Sequence, residues 1–156
     1  MNRGKSSGVA ALLVGIVSSV ASSVALAEGR LVGVIEYYHA TLDHYFMSSP
    51  GDDIEALDSG RLGGWARTGH RFFAYSGEAP NASPVCRLYL PPEEGDSHFY
   101  SASPAECADV RASFPSFRYE SGNVMYVGLP DAATGMCPFP WPVDRLWNQR
   151  ADANHR

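Results

Sequence analysis

Short runs of apolar and aromatic residues recur along the chain, separated by turns rich in glycine, proline and serine. Residues 34–38, 85–89 and 143–147 align with one another: each begins with valine, carries a charged residue third and ends in an aromatic residue. Short apolar runs bounded by turn residues predict β-strands. Because the same pattern returns three times, the sequence indicates a repeat protein.

A second shared pattern follows these strands. Residues 44–49 match residues 98–103, and His155 begins a third copy, so His44, His98 and His155 are structural markers of the repeat. In the first two copies the match leads into serine, proline and an acid, which is the order of a capped helix start. We therefore expect a short helix after the second strand of each repeat.

Beyond each predicted helix lies a longer stretch typical of strands, residues 65–75 in the first repeat and 117–127 in the second. Gly69 and Gly122 interrupt these stretches, which predicts a β-hairpin bent at each glycine. Each repeat then has the order strand, strand, helix, strand, strand. Sheet should dominate, because the apolar residues are mostly aromatic or β-branched.

The repeats predict a mainly β fold with short helices over residues 28–156. Repeat one spans 34–76, repeat two 85–129 and a partial repeat three 143–156. Three units of four strands favour a β-trefoil-like pseudo-threefold arrangement, and a small open β repeat array is the alternative. Since the third copy ends after one strand and a turn, we expect a truncated repeat that folds poorly without its remainder.

Residues 1–27 have the organisation of a secretory signal peptide. Arg3 and Lys5 precede an uncharged, mostly apolar run, and Ala25 and Ala27 supply the small residues that signal peptidase requires. We therefore expect cleavage after Ala27 and a secreted or periplasmic protein. No membrane span is expected, because no other stretch approaches the roughly 20 apolar residues that a span needs.

The chain without its signal peptide is acidic. The full sequence has 12 basic and 17 acidic residues, and losing Arg3 and Lys5 leaves 10 basic residues and a net charge of −7. This charge argues against a nucleic-acid partner. The remaining cations are all arginines, which suit planar recognition of carboxylates or sugars, although their scatter also fits a bias in codon usage.

Three cysteines, Cys86, Cys107 and Cys137, predict one disulfide and one remaining thiol in an oxidising compartment. Cys86 shares a strand face with Leu88, and Cys107 lies in the first turn of the helix in the same repeat, so we expect these two to pair. The cysteines lack metal-binding spacing, and no metal or cofactor is expected.

The strand motif and the segments Asp43-His44-Tyr45-Phe46 and Asp96-Ser97-His98-Phe99-Tyr100 resemble a known family. This family consists of secreted, mostly bacterial repeat modules of unknown function, with a V-Y-R-x-Y strand followed by D-H-F-Y-T. The resemblance runs from Val34 to the last residue, where the tyrosine and threonines of the family pattern are missing. It implies an accessory domain, found alone or beside secreted hydrolases, and it implies no active site.

Catalytic motifs are absent beyond the predicted signal peptide: residues 28–156 have no G-x-S-x-G, no H-E-x-x-H and no glycine-rich phosphate loop. Asp52, Asp53 and Glu55 are candidates from which a carboxylate pair for glycoside hydrolysis could come, but acids in the first turns of a helix are more often complements of its dipole. The three marker histidines are a candidate metal site. A local hydrogen-bonding role is favoured for them, because buried polar groups are nearly always satisfied.

The candidate ligand-binding residues are Tyr37, Tyr89 and Trp147, together with Arg87 and Arg145. Aromatic faces stack well on sugar rings, although packing in the core is the commoner use of such residues. We expect an exported, non-enzymatic binding or interaction module for carbohydrate or a cell-envelope polymer. A secreted hydrolase and a structural surface protein are the alternatives, and a partner chain or the missing third repeat is a further candidate partner.

Overall fold

The computed structural model of the chain describes residues 29–138, 140 and 142–146. These residues form two units with the element order ββαβ. The elements are β1 Leu31–His39, β2 His44–Ser48, α1 Asp52–Asp58, β3 Trp65–Tyr75, β4 Ala82–Leu90, β5 Ser97–Ser101, α2 Pro104–Ser113 and β6 Arg118–Gly128. The first unit comprises β1, β2, α1 and β3, and the second comprises β4, β5, α2 and β6. The predicted mainly β fold with short helices is confirmed.

All six strands belong to one antiparallel sheet with the order β2-β1-β3-β6-β4-β5. The units meet in the middle, where Tyr75 of β3 pairs with Tyr126 of β6. Strands β2 and β5 lie at the two edges, so the sheet formed by the described residues is open. The β-trefoil-like arrangement is therefore not confirmed.

The predicted hairpins at residues 65–75 and 117–127 are wrong, because β3 and β6 are each one continuous strand. Gly69 disturbs its strand without ending it: Ile35 pairs with Arg71, but Tyr37 pairs with Arg67, so β3 bulges between these positions. Gly69 has a φ of +87°, which a residue with a side chain rarely adopts. Each unit consequently has three strands where four were expected.

The two predicted helix starts differ in outcome. Ser103 caps α2 as expected, since its hydroxyl accepts a hydrogen bond from the Glu106 amide at 3.3 Å. The cap predicted at Ser49 is wrong, because α1 begins after Gly51 without a side-chain cap. The Ser49 hydroxyl instead donates to the Val124 carbonyl of β6 at 3.0 Å, a contact between the units.

Three buried clusters form the core. The central cluster joins both units and contains Val34, Ala74, Val85, Tyr100 and Met125. A second cluster includes α2 of the second unit: Cys86, Leu88, Phe99 and Cys107. The third includes α1 of the first unit: Tyr37, Phe46 and Leu57. The central cluster makes the two units one packed body, because burying its apolar surface requires side chains from both.

The two edges of the sheet approach each other through side chains. On β5, the Tyr100 hydroxyl donates to the Met47 carbonyl of β2 at 2.8 Å and accepts from the Met47 amide at 3.4 Å. A ring nitrogen of His44 lies 2.7 Å from the Asp96 carbonyl. These contacts cover part of the edge of β2, which would otherwise expose unpaired backbone groups.

Some sequence predictions concern residues at the ends of the chain. Residues 142–146 have no regular secondary structure, so the expected strand at 143–147 does not form at its described positions. Trp147, His155 and the predicted signal peptide lie outside the described residues. Among the helices of the described part, none is long and apolar enough to cross a membrane.

The disulfide between Cys86 and Cys107 is confirmed, and Cys137 is a free thiol. The double variant Cys86→Ser/Cys107→Ser should lose roughly 3 kcal/mol, because the bond closes a loop across a sequence separation of 21. Calorimetry should then show a melting temperature lower by on the order of 10 °C, whereas Cys137→Ser should melt like the wild type. A double variant that melts together with the wild type would refute this role of the bond.

Candidate functional site

Arg87 lies at the junction between the two units. Leu88 is packed in the second-unit cluster, so side-chain alternation along β4 directs Arg87 to the opposite face. There its Nη1 donates to Asp53 Oδ2 at 2.6 Å and its Nε donates to Glu120 Oε2 at 2.6 Å. The guanidinium carbon lies 5.1 Å from the ring centre of Phe46, and the side chain is only 11% exposed. One side chain thus connects β4 to α1, β6 and β2.

The charge of Arg87 dominates the electrostatics of this junction. Burial by itself raises the pKa of Asp53, but hydrogen bonds from Arg87 and Ser48 and the positive charge of Arg87 outweigh burial, so this pKa lies below its ordinary value. Burial also raises the pKa of Glu120, and the nearby His98 ring together with the charge of Arg87 brings it below its ordinary value. Both carboxylates are therefore charged at neutral pH and neutralise a largely buried cation.

A row of rings continues the junction beside this ion cluster. His98 stacks on Tyr89 with ring centres 4.9 Å apart and meets the ring of Phe46 edge-on at 4.8 Å. Phe46 contacts Trp65 at 6.0 Å. The His98 Nε2 atom lies 3.6 Å from Glu120 Oε2. The rings therefore pack one unit against the other, with polar edges directed at the carboxylates.

The structure places the candidate ligand-binding tyrosines in internal contacts. Tyr37 is 1% exposed, and its hydroxyl donates to Asp58 Oδ1 at 2.8 Å. Tyr89 is half-buried and donates to Asp96 Oδ1 at 2.8 Å. Burial and this hydrogen bond raise the pKa of Tyr89 to about 12. A ring buried as deeply as that of Tyr37 offers no face to a sugar, whereas Tyr89 retains a partly exposed edge.

The candidate arginines are also engaged within the chain. Arg87 is committed to the unit junction described above. Arg145 forms a bidentate pair with the Glu106 carboxylate, with N–O distances of 2.6 and 3.0 Å, and its side chain is 41% exposed. Trp147, the fifth candidate, lies outside the described residues. The four described candidates all make contacts within the chain, and of these Arg87 and Tyr89 lie at the same junction.

The repeat histidines do not occupy equivalent positions. Tyr38 pairs with Tyr45 across the first hairpin, and the matching Tyr89 pairs with His98 across the second. His98 therefore corresponds to Tyr45, and the alignment of His44 with His98 is wrong by one residue. The error arose because the turn between the strands has different lengths in the two units, a difference that matching by residue type concealed.

The predicted role of the α1 acids is incomplete. Asp53 lies in the first turn of α1, where an acid complements the helix dipole, but its carboxylate also binds Arg87 and accepts from the Ser48 hydroxyl at 2.9 Å. This second role requires β4 of the other unit, so local sequence could not reveal it. In the described part of the chain, no cluster of three or more histidine, cysteine or acidic residues is arranged to hold a metal ion.

The surface of the molecule has two adjoining open depressions along the bulge of β3. One, of about 280 Å³, is lined by Glu36, Met47, His70, Arg71, Phe72, Val143, Asp144 and Leu146. The other, of about 310 Å³, is lined by Ile35, Arg67, Gly69, His70 and Arg71. His70 and Arg71 belong to both and are exposed. We call this pair of depressions the β3 surface.

Sequence reasoning missed the β3 surface. His70 and Arg71 belong to none of the repeat or site motifs of the sequence. The bulge at Gly69 brings Arg67, His70 and Arg71 to the same two depressions. The glycine was the available signal, because a glycine inside a strand often marks a bulge and a place where a ligand approaches closely.

Fold and surface together define a small β-rich domain of two similar units, with an ion cluster around the largely buried Arg87 between them and a shallow polar surface outside. The family model described as "Domain of unknown function (DUF5648)" matches residues 22–155, and the chain belongs to this family. The resemblance to an uncharacterised domain family is thereby confirmed. No curated protein and no solved structure matches the chain.

Acid should weaken the protein partly through Asp53 and Glu120. Because their pKa values are lower in the folded chain than in the unfolded one, their charged forms favour folding. This contribution is complete above about pH 5, where the unfolded groups are also charged, and is lost as the pH falls through the lowered folded-state pKa values. Arg87→Met removes the cation that lowers both pKa values, so the pKa-raising effect of burial is less opposed. This variant should therefore lose less unfolding free energy than the wild type between about pH 5 and pH 3. Urea unfolding of the wild type and of Arg87→Met across this pH range would measure the two losses. Equal losses would contradict the claim that Arg87 lowers the pKa values of Asp53 and Glu120.

Proposed function

We propose that the protein is an exported, non-catalytic binding module whose ligand is a carbohydrate or a cell-envelope polymer. The observation that carries the proposal is the β3 surface, where two open depressions share Arg71 and His70. Adjoining shallow sites suit a chain of repeated groups better than a small molecule, which proteins usually enclose in a deeper pocket.

The composition of the β3 surface suits an oxygen-rich polymer. His70 and Arg71 offer hydrogen-bond donors, and Asp144 offers an acceptor for hydroxyl groups. Apolar side chains in the same lining, Ile35, Met47 and Phe72, can pack against the carbon face of a sugar ring. Arg67 already pairs with Asp58 through Nε at 2.9 Å and Nη2 at 2.5 Å. Arg71 therefore carries the preference for a polymer with carboxylates, because a guanidinium can bind a carboxylate through two hydrogen bonds.

The Arg87 cluster does not favour the hydrolase alternative. Its two carboxylates both bind one arginine, and their pKa values are lowered. A glycosidase needs one carboxyl group that stays protonated near neutral pH so that it can act as the acid. Export, association with secreted hydrolases and the absence of catalysis remain parts of the proposal.

Co-sedimentation with insoluble polysaccharides and purified peptidoglycan would test the proposal. The chain should pellet with at least one polymer, and Arg71→Ala should weaken that binding by about tenfold or more, since a charge-assisted hydrogen bond contributes roughly 1.5–3 kcal/mol. Arg118→Ala is the matched control, because Arg118 is also an exposed arginine but lies outside the β3 surface, where it pairs with Glu93 at 3.2 Å.

The proposal would be contradicted if the wild type pelleted with neither the polysaccharides nor the peptidoglycan. It would also be contradicted if Arg71→Ala and Arg118→Ala weakened polymer binding equally. Sugar released into the supernatant in the same tubes would favour a hydrolase. Melting curves of the variants would show whether they are folded, so that a loss of binding can be attributed to the surface.

A further inference from the structure

The contacts of Arg145 repeat those of Arg87 one unit further along the chain. Arg87 binds the Asp53 carboxylate and lies 5.1 Å from the ring centre of Phe46. Arg145 binds the Glu106 carboxylate through two nitrogens and lies 4.9 Å from the ring centre of Phe99. In both cases an arginine covers a phenylalanine ring and pairs with an acid near the start of a helix.

The two acceptor sites are structurally equivalent. Phe46 faces Tyr37 across the first hairpin, and Phe99 faces the matching Leu88 across the second. Two residues beyond each phenylalanine a serine hydroxyl donates to the acid: Ser48 to Asp53 and Ser101 to Glu106. We call Phe46, Ser48 and Asp53 the receiving face of the first unit, and Phe99, Ser101 and Glu106 that of the second.

The two arginines are also equivalent in sequence. Arg87 is the third residue of Val85-Cys86-Arg87-Leu88, and Arg145 is the third residue of Val143-Asp144-Arg145-Leu146. Arg145 reaches the receiving face although residues 143–146 form no regular strand, so the contact does not depend on strand pairing. Its Nη1 also donates to the Tyr100 carbonyl at 2.9 Å, which adds a backbone contact on edge strand β5.

We propose that the receiving face is a docking surface for the V-x-R-L segment of a following repeat unit, and that residues 143–146 occupy the receiving face of the second unit. The first unit carries Glu36 where the second carries Arg87, so its own first strand lacks the residue that a receiving face binds. Docking is therefore directional, with the arginine of a later unit bound to the acid of an earlier one. Val143, Asp144 and Leu146 of this segment also line the β3 surface. The docking contacts are nevertheless made by Arg145 with Phe99 and Glu106, none of which belongs to that surface.

Limited proteolysis of the whole exported chain would test the docking. Chymotrypsin should cut after Leu146 about tenfold faster in Arg145→Ala, because the docked segment opens more readily without the arginine. Phe139 and Trp141 each precede a proline and are not cut, so the bond after Leu146 reports on the docked segment. The cleavage rate of Arg145→Lys should lie between those of the wild type and Arg145→Ala, since lysine keeps the charge but cannot bind the carboxylate through two nitrogens. Arg118→Ala, which removes an exposed pair with Glu93, should be cut like the wild type.

Glu106→Gln supplies the reciprocal test. Glutamine retains a side-chain oxygen for Ser101 but removes the negative charge that Arg145 binds. This variant should be cut faster in the same segment, and adding Arg145→Ala to it should cause little further increase, because both changes break one contact. Unchanged cutting in Arg145→Ala, or independent increases from the two substitutions, would overturn the inference. The two proposals stay distinguishable because proteolysis is measured without polymer, whereas polymer binding is measured on the wild type and on Arg71→Ala, which leaves Arg145 and Glu106 in place.

Discussion

The fold depends on one largely buried cation. Arg87 leaves β4 on the face opposite Leu88 and binds Asp53 of the first unit and Glu120 of β6 within 2.6 Å. A buried guanidinium is costly unless its charge and its N–H groups are matched, so the position of α1 relative to β4 is constrained by this requirement. Apolar packing in the central cluster supplies most of the driving force for association, and the arginine fixes the geometry in which association occurs.

Local features of the fold followed from sequence, and features set by distant partners did not. Alternation along β4 placed Cys86 correctly for Cys107, and the serine–proline–acid order at Ser103 predicted the start of α2. The same order at Ser49 failed because that hydroxyl binds a carbonyl of β6. Gly69 was read as a turn, yet the flanking residues found partners on β1, so the strand continued through a bulge.

The candidate site shows the same division. Arginine and aromatic residue types suggested ligand binding, but Arg87 and Tyr37 are satisfied by Asp53 and Asp58, which lie in another element of the chain. Whether an arginine binds a ligand or an internal carboxylate depends on tertiary contacts that its neighbours in sequence do not encode. The β3 surface escaped notice for the converse reason, since His70 is unremarkable until the bulge places it beside its neighbours.

A double-mutant cycle on Arg87 and Asp53 tests most directly whether their pairing holds the two units together. Arg87→Met and Asp53→Asn should each lower the free energy of unfolding by about 1–2 kcal/mol, because Arg87 is largely buried while Asp53 is 39% exposed and Arg87 keeps Glu120 when Asp53 is replaced. The double variant should be about as stable as the less stable of the two single variants, since both substitutions remove the same interaction. Additive losses in urea unfolding, or single losses below about 0.5 kcal/mol as expected for an ordinary surface pair, would contradict the account.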